Sequence, residues 1–515
     1  MMKHHAARRW SSLGLAVLFL MAAGPVPVQA TDAREVLGVA HAAGRYNFTD
    51  EDYLNEGADA LLELGTGVIK VFFLPHQVDF HYPFNSAWGD PLPANVVELA
   101  QRPHFVELFK KPFSTYIMVV STVGGGLPYF DGLTREEAEA EREQMYLLTK
   151  HLLTTYKNTG KTFILQNWEG DHLLRQSVPE GVDPDPKRIA AMIQWLNARQ
   201  DGVRDARKEL GSDLGVEVLH AVEVNHLQRA MAGQVTMTND IVPFTRADLY
   251  SYSTWDITFD PATLVKALDY LESKAPDNRR FGKRNIYLGE FGVAKNHGVP
   301  EGDRPERIRD LMEAALGWGV RYAVYWELFC NEQLREYSGR PRNRDLRGFW
   351  LIRPDGEKTQ MWDMLAGQIG AGFHRAAFSS FSNQYISVDE RNRGVRAERW
   401  TRGGRWETFT LKDWNGGALQ AGDSVSLQSH DGRYLTAERG SGGRVFAREA
   451  TPGRLERFTV HKIGGDGAIV PGDSIAFETR TGLYLGAEVG GRGTIRALRP
   501  APGPSEVFRF VDPEE

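Results

Sequence analysis

Cysteine is almost missing from this chain: its 515 residues include one, Cys330. A single thiol closes no internal disulfide, and the Cys/His spacing of a zinc site is absent, so stability has to come from core burial. A lone thiol of this kind usually behaves as a small apolar residue, which argues against Cys330 as a nucleophile. Positive charge is also in short supply. The net charge is −6, which leaves no basic surplus to neutralise phosphates and excludes the usual nucleic-acid binder. Arginine becomes frequent toward the C-terminus, but acidic residues interleave with it and make a solvated surface. Beyond the first thirty residues no apolar run is long enough to span a bilayer. No Gly-rich phosphate turn follows the first strand candidate, where the chain reads Gly38-Val39-Ala40-His41-Ala42.

The N-terminus has the pattern of an export signal. Lys3, Arg8 and Arg9 precede the apolar run Leu13 to Ala23, and small residues follow at Val28-Gln29-Ala30. The expectation is a signal peptide over 1–30 and a mature chain from near Thr31. That chain would be secreted, extracellular or periplasmic, with no membrane partner once the signal is cleaved.

From residue 35 apolar strand-like runs alternate with helix-like stretches. The strand candidates are Val36–His41, Gly67–Phe73, Ser114–Thr122, Thr162–Glu169, Val216–Asn225, Asp248–Trp255, Arg284–Glu290 and Tyr322–Leu328. Amphipathic stretches lie between them, as in Pro305–Trp318, where Ile308, Leu311, Met312, Ala315 and Leu316 recur on one helix face. Eight strands alternating with helices predict an α/β fold, a (β/α)8 TIM barrel over 31–370. A final helix, Thr359–Ala366, closes it.

Near Gly367–Gly372 helical periodicity stops, and 371–515 reads as an all-β domain built of repeats. Tyr385, Tyr434 and Tyr484 recur 49 and 50 residues apart, as do Ala397, Ala447 and Ala497, and Phe409, Phe458 and Phe508. Three copies of one β unit specify an internally three-fold object whose repeated aromatics fill a shared interior. The repeats resemble the lobes of a β-trefoil, closest to the fascin-like type, with His430-Asp-Gly-Arg-Tyr434-Leu and Arg480-Thr-Gly-Leu-Tyr484-Leu as its turns. The ricin-type Gln-x-Trp signature is missing. The expected role is a carbohydrate-binding module.

Functional side chains of such a barrel sit at the C-terminal ends of its strands. The seventh strand, Asn285-Ile-Tyr-Leu-Gly-Glu290-Phe-Gly292, ends on a carboxylate. An unbroken alternation puts Glu290 on one face with Ile286 and Leu288. Strand four ends Gln166-Asn167-Trp168-Glu169, and the same alternation sends Asn167 and Glu169 to the mouth with Phe163 and Leu165. Two glutamates across one mouth are the apparatus of glycoside hydrolysis. Strand five offers Glu223 and Asn225 on one face, and Glu223 is the substitute if Glu169 is not the acid. Strand six offers Tyr252 and Trp255, strand eight Trp326, and strand one His41, each a candidate to contact sugar. The loop His76-Gln-Val-Asp79-Phe-His81 mixes polar and aromatic groups, but no second cluster joins it. A catalytic metal is therefore not expected, nor any cofactor.

With Asn167/Glu169, Leu288-Gly-Glu290-Phe-Gly and Val324-Tyr-Trp326-Glu-Leu in place, residues 35–366 resemble a clan A glycoside hydrolase, the cellulase- and mannanase-like group of retaining barrel enzymes. The resemblance implies that Glu169 is the acid/base, Glu290 the nucleophile, Tyr252 a hydroxyl set against that nucleophile, and Trp326 a wall of the sugar subsite. Two features depart from the family. Trp168 separates Asn167 from Glu169, and the strand-two arginine is absent unless Lys70 takes its place. The implied partner is a poly- or oligosaccharide, with no obligate protein partner. A non-catalytic carbohydrate-binding protein with a degenerate barrel is the alternative. Sugar specificity is expected to lie in the loops 74–95 and 123–135.

Overall fold

A computed structural model describes residues 31–512, apart from 123–131, 258, 279, 371, 402–403, 417, 438–442, 450–451, 454 and 489–492. The expected signal over 1–30 and most of the loop 123–135 lie outside the described residues. No helix among the described residues is long and apolar enough to cross a membrane.

Eight parallel strands close a TIM barrel: β1 (Leu37–His41), β2 (Val68–Phe73), β3 (Thr115–Val120), β4 (Thr162–Gln166), β5 (Glu217–Val224), β6 (Leu249–Ser253), β7 (Ile286–Phe291) and β8 (Ala323–Tyr325). These strands are covered on both faces, so they read as near-continuous apolar runs rather than alternating ones. The helices between them carry their own start and stop signals. Asp52 accepts from the Asn55 amide to cap Tyr53–Leu64, and Thr134 with Glu137 forms a capping box on Arg135–Thr155. Gly319 ends Arg304–Trp318 at φ 102°, a conformation that favours glycine. The eight strand positions match those expected; seven are shortened by one to four residues, and β7 starts two residues later and runs one residue past Glu290. Cys330 is buried in this core, and burial pushes its thiol up to about 12.

A second core begins at Ala376, in an all-β domain of antiparallel strands. Its strands are β9 (Gly372–Ser380), β10 (Tyr385–Val388), β11 (Val395–Arg399), β12 (Phe409–Asp413), β13 (Ser424–Ser429), β14 (Tyr434–Ala437), β15 (Val445–Glu449), β16 (Phe458–Lys462), β17 (Ser474–Thr479), β18 (Tyr484–Ala487), β19 (Ile495–Arg499) and β20 (Phe508–Val511). Strand pairing runs from β9 through β12, β13, β16, β17 and β20 back to β9, which closes a ring of six. The remaining strands form the hairpins β10–β11, β14–β15 and β18–β19. These hairpins meet by one repeated contact: the amides of Ala397, Ala447 and Ala497 donate to the carbonyls of Gly493, Arg393 and Gly443.

The two cores are joined by a buried polar cluster. Lys412 Nζ donates to Glu313 Oε1 at 2.6 Å and to Gln368 Oε1 at 2.7 Å, and Tyr434 donates to Glu313 Oε2 at 2.7 Å. Glu313 and Gln368 belong to the barrel domain, Lys412 and Tyr434 to the β domain. Breaking such a pair by removing one partner leaves a buried charge. Lys412→Ala should therefore destabilise the chain by about 3–5 kcal/mol, read from urea unfolding. Lys412→Met combined with Glu313→Leu should recover much of the loss. An unchanged midpoint for Lys412→Ala would contradict this role.

Candidate active site

The upper layer of the barrel interior is polar where its walls are apolar. Lys70 on β2, Gln166 on β4, Glu223 on β5, Ser251 and Ser253 on β6 and Tyr287 on β7 all point into it. Glu223 is their meeting point. Its Oε1 accepts from Lys70 Nζ at 3.1 Å, Gln166 Nε2 at 2.9 Å, Ser253 Oγ at 2.9 Å and Ser251 Oγ at 3.2 Å, while Oε2 accepts from the Glu169 amide at 2.8 Å. Tyr287 donates to Gln166 Oε1 and completes the layer. Glu223 is fully buried beneath the mouth with five donors on its carboxylate, so it lies in the layer that holds the mouth together and not at the surface expected of a binding residue.

Glu290 stands one step nearer solvent and is 3% exposed. Lys70 Nζ donates to its Oε1 at 2.8 Å and Trp255 Nε1 to its Oε2 at 2.9 Å. Glu290 does not reach this place by the expected alternation. Tyr252 pairs with Leu288 but Ser253 pairs with Glu290, so Gly289 is an extra residue in β7. That extra residue moves Glu290 off the face of Ile286 and Leu288 and onto the inner face of Tyr287. Only glycine fits there, because a methyl group at 289 would overlap Ser251 Oγ and press on Glu223 Oε1 at 2.6 Å.

Glu169 arrives differently from the expectation as well. Phe163 stacks on Tyr116 against the outer helices, so its face of β4 points away from the mouth. The strand stops at Gln166, and the turn Asn167-Trp168-Glu169 carries the carboxylate inward. Asn167 fastens that turn to β5: its Oδ1 accepts from the Glu223 amide at 3.1 Å and its Nδ2 donates to the Glu223 carbonyl at 3.4 Å. Glu169 Oε2 lies 2.5 Å from His172 Nδ1. Asn225 is 1% exposed and accepts from the Asp171 amide at 3.0 Å, so it locks the turn to β5 and does not face a ligand.

Two further candidates need correction. Tyr252 donates to Asp256 Oδ1 at 2.6 Å rather than to Glu290, and the Trp255 indole takes the position expected of it. His41 is fully buried on the outer face of β1, where Gly57 of Tyr53–Leu64 packs on its ring and its Nε2 meets the Tyr53 carbonyl at 2.8 Å. Burial pushes its pKa down to about 4, and it is a packing residue. Trp326, 8% exposed, meets Phe72 edge-on at 6.1 Å, and Trp255 meets Phe349 at 5.4 Å. Trp168 is the large apolar side chain left open beside Glu169, at 43% exposure. Among the described residues no group of three His, Cys, Asp or Glu is placed to hold a metal ion.

No protein-family model and no curated protein matches the chain. Among solved structures, the GH5_18 protein of Bifidobacterium longum subsp. infantis aligns with 65% of this chain and 78% of its own, at 15% identity and a TM-score of 0.44. The exo-β-1,4-mannosidase of Opitutaceae bacterium strain TAV5 aligns with 65% and 59%, at 15% identity and 0.42. A GH39 β-xylosidase of Caulobacter crescentus aligns with 69% and 79%, at 12% identity and 0.38.

The charges in the mouth are unequal. Burial works against the Lys70 ammonium, but Glu223 and Glu290 outweigh it and hold its pKa above the usual lysine value. Burial acts most strongly on Glu290. Against the pull of Lys70, and helped by Glu223 and Glu169, it pushes the Glu290 carboxyl up to about 8. The folded chain thus holds this proton more tightly than the unfolded chain. The group's contribution to stability falls as pH rises from the ordinary carboxylate range toward 8. In ¹³C-carboxyl glutamate NMR, with Glu290→Gln as the assignment, one resonance should titrate near 8, and Lys70→Met should move it higher. A Glu290 resonance titrating near the ordinary value of about 4.3 would contradict this balance.

Proposed function

We propose that this protein is a glycoside hydrolase that cleaves a poly- or oligosaccharide by double displacement. The observation that carries the reading is Glu290 oriented by Lys70 and Trp255 at the C-terminal mouth of the barrel, with Glu169 on the same rim. In the first half, Glu290 reacts as its carboxylate, its proton having passed to solvent; one of its oxygens bonds to the anomeric carbon as the glycosidic C–O bond breaks, and Glu169 protonates the departing oxygen. In the second, Glu169 takes a proton from water as the water oxygen bonds to the anomeric carbon and the glycosyl ester on Glu290 breaks. This route needs two carboxylates and water. Lys70 and the Trp255 indole hold one Glu290 oxygen each, which limits the carboxyl to one plane of approach, and the Lys70 ammonium favours the ionised form that attacks.

Trp168 and Trp255 offer flat faces for sugar rings to stack on, while Trp326 packs deeper in the subsite wall. The β domain, in this reading, is a β-trefoil that keeps the enzyme near polymer, and residues 1–30 direct secretion. A polysaccharide screen with product analysis tests the reading. Wild-type protein should release reducing ends from at least one glycan. Glu290→Ala should lower that turnover by several orders of magnitude, with azide or formate restoring part of it and giving the product of inverted configuration. Near-full activity of Glu290→Ala would refute the assignment. Glycan binding by wild-type protein without any released sugar would favour a binding protein instead.

A further inference from the structure

We propose that Glu169 and His172 act as one proton-holding unit, in which His172 positions the acid and shares its proton. This rests on the proposed role of Glu169 as acid/base.

The geometry begins with the turn after β4. Glu169 stands at the start of the short helix Gly170–Arg175, and His172, three residues on, comes back over it on the same face. Their Oε2 and Nδ1 atoms are 2.5 Å apart, and among the described residues no other side chain hydrogen-bonds to the Glu169 carboxylate. Glu290, by contrast, has two donors of its own. His226 meets the imidazole edge-on at 5.2 Å, and Asn225 Nδ2 lies 3.2 Å from the same Nδ1 that faces Glu169.

Asp171, on the same helix, is occupied elsewhere, accepting from the amides of Asn225, His226 and Met237. The charged groups facing the pair are therefore Glu290 from β7, with Lys70 behind it, and Glu223 from β5. His226 meets the imidazole edge-on, and Arg229 and Asp256 act in turn on His226. The hydrogen bond to Glu169 lifts His172 above its ordinary pKa against the effect of burial, and Asp171 and Glu290 add to the lift.

A proton in so short a contact serves whichever atom needs it. As the glycosidic bond breaks, it goes to the leaving oxygen and the pair carries one proton fewer. As water attacks the glycosyl ester, the water's proton returns to the pair. Competence as an acid is then lost on the alkaline side once the His172 imidazole is neutral. The departure seen in the sequence, Trp168 between Asn167 and Glu169, fits this device. It places Glu169 at the helix start, where a residue three positions on can reach it.

The test uses two measurements. In ¹⁵N-imidazole NMR of the full chain, assigned with His172→Gln, the His172 ring should titrate above the free value of about 6.5, and Glu169→Gln should bring it down. In steady-state kinetics on a cleaved glycan, His172→Gln should lower kcat at pH 8 relative to pH 5 by about tenfold or more, the rate equivalent of a one-unit displacement, with KM changing less than kcat. An unchanged His172 titration in Glu169→Gln would overturn the pairing whether or not the protein hydrolyses anything. A parallel pH profile in His172→Gln with active wild type would overturn the catalytic role. Wild-type protein that cleaves no glycan fails the proposed function, and His172's part in it, while the titration still reports on the pair.

Discussion

One ammonium group organises the mouth of this barrel. Lys70 lies at the end of no charged surface; it is wholly buried, and it is shared by Glu223 at 3.1 Å and Glu290 at 2.8 Å. Burying a cation and two carboxylates is expensive unless each is paired and hydrogen-bonded. The structure meets that condition from five strands at once: Gln166, Ser251 and Ser253 complete the shell around Glu223, and Trp255 completes that of Glu290. Strand register matters because of it. A one-residue slip of β2, β5 or β7 would leave a charge without its partner, so the parallel ladder and the polar layer specify each other.

The division between the two glutamates beside Lys70 follows from the same shell. Five donors occupy Glu223 and make it scaffold. Glu290 has two donors and lies nearest the opening, held up to about 8 by burial against the pull of Lys70. Glu169 reaches the rim on a turn whose amide is itself bonded to Glu223. Both carboxylates proposed to react are thus positioned through one that does not.

The fold was legible because its signals are local and redundant. Eight apolar runs alternating with amphipathic helices need a parallel arrangement covered on both sides, and the repeat of Tyr385, Tyr434 and Tyr484 needs only counting. That Glu169 and Glu290 stand at the mouth was legible from strand ends. Their route to the mouth was not. Alternation carries a side chain to a known face only while the ladder is regular, and Gly289 and the turn at Asn167–Glu169 each interrupt it. The supporting shell left a signal that reads clearly afterwards: Lys70 and Gln166 stand alone in apolar strands, and Ser251 and Ser253 alternate with tyrosines. A lone polar residue in a buried strand requires a partner, and sequence cannot say which of several strands supplies it. Tyr252 and His41 misled for the reverse reason. Each sits on a barrel strand with the right chemistry, but Tyr252 is engaged by Asp256 and His41 by the helix outside.

The central claim is that Glu290, and not its buried neighbour Glu223, forms the bond to sugar. Incubating the protein with activated 2-deoxy-2-fluoro glycosides, whose fluorine slows breakdown of the glycosyl ester, and mapping the peptides by mass spectrometry tests this directly. The account predicts one added sugar per chain, on the peptide containing Asn285–Gly292 and located at Glu290. An adduct on Glu223 or Glu169, or turnover of the same glycosides with inverted product and no adduct, would contradict it.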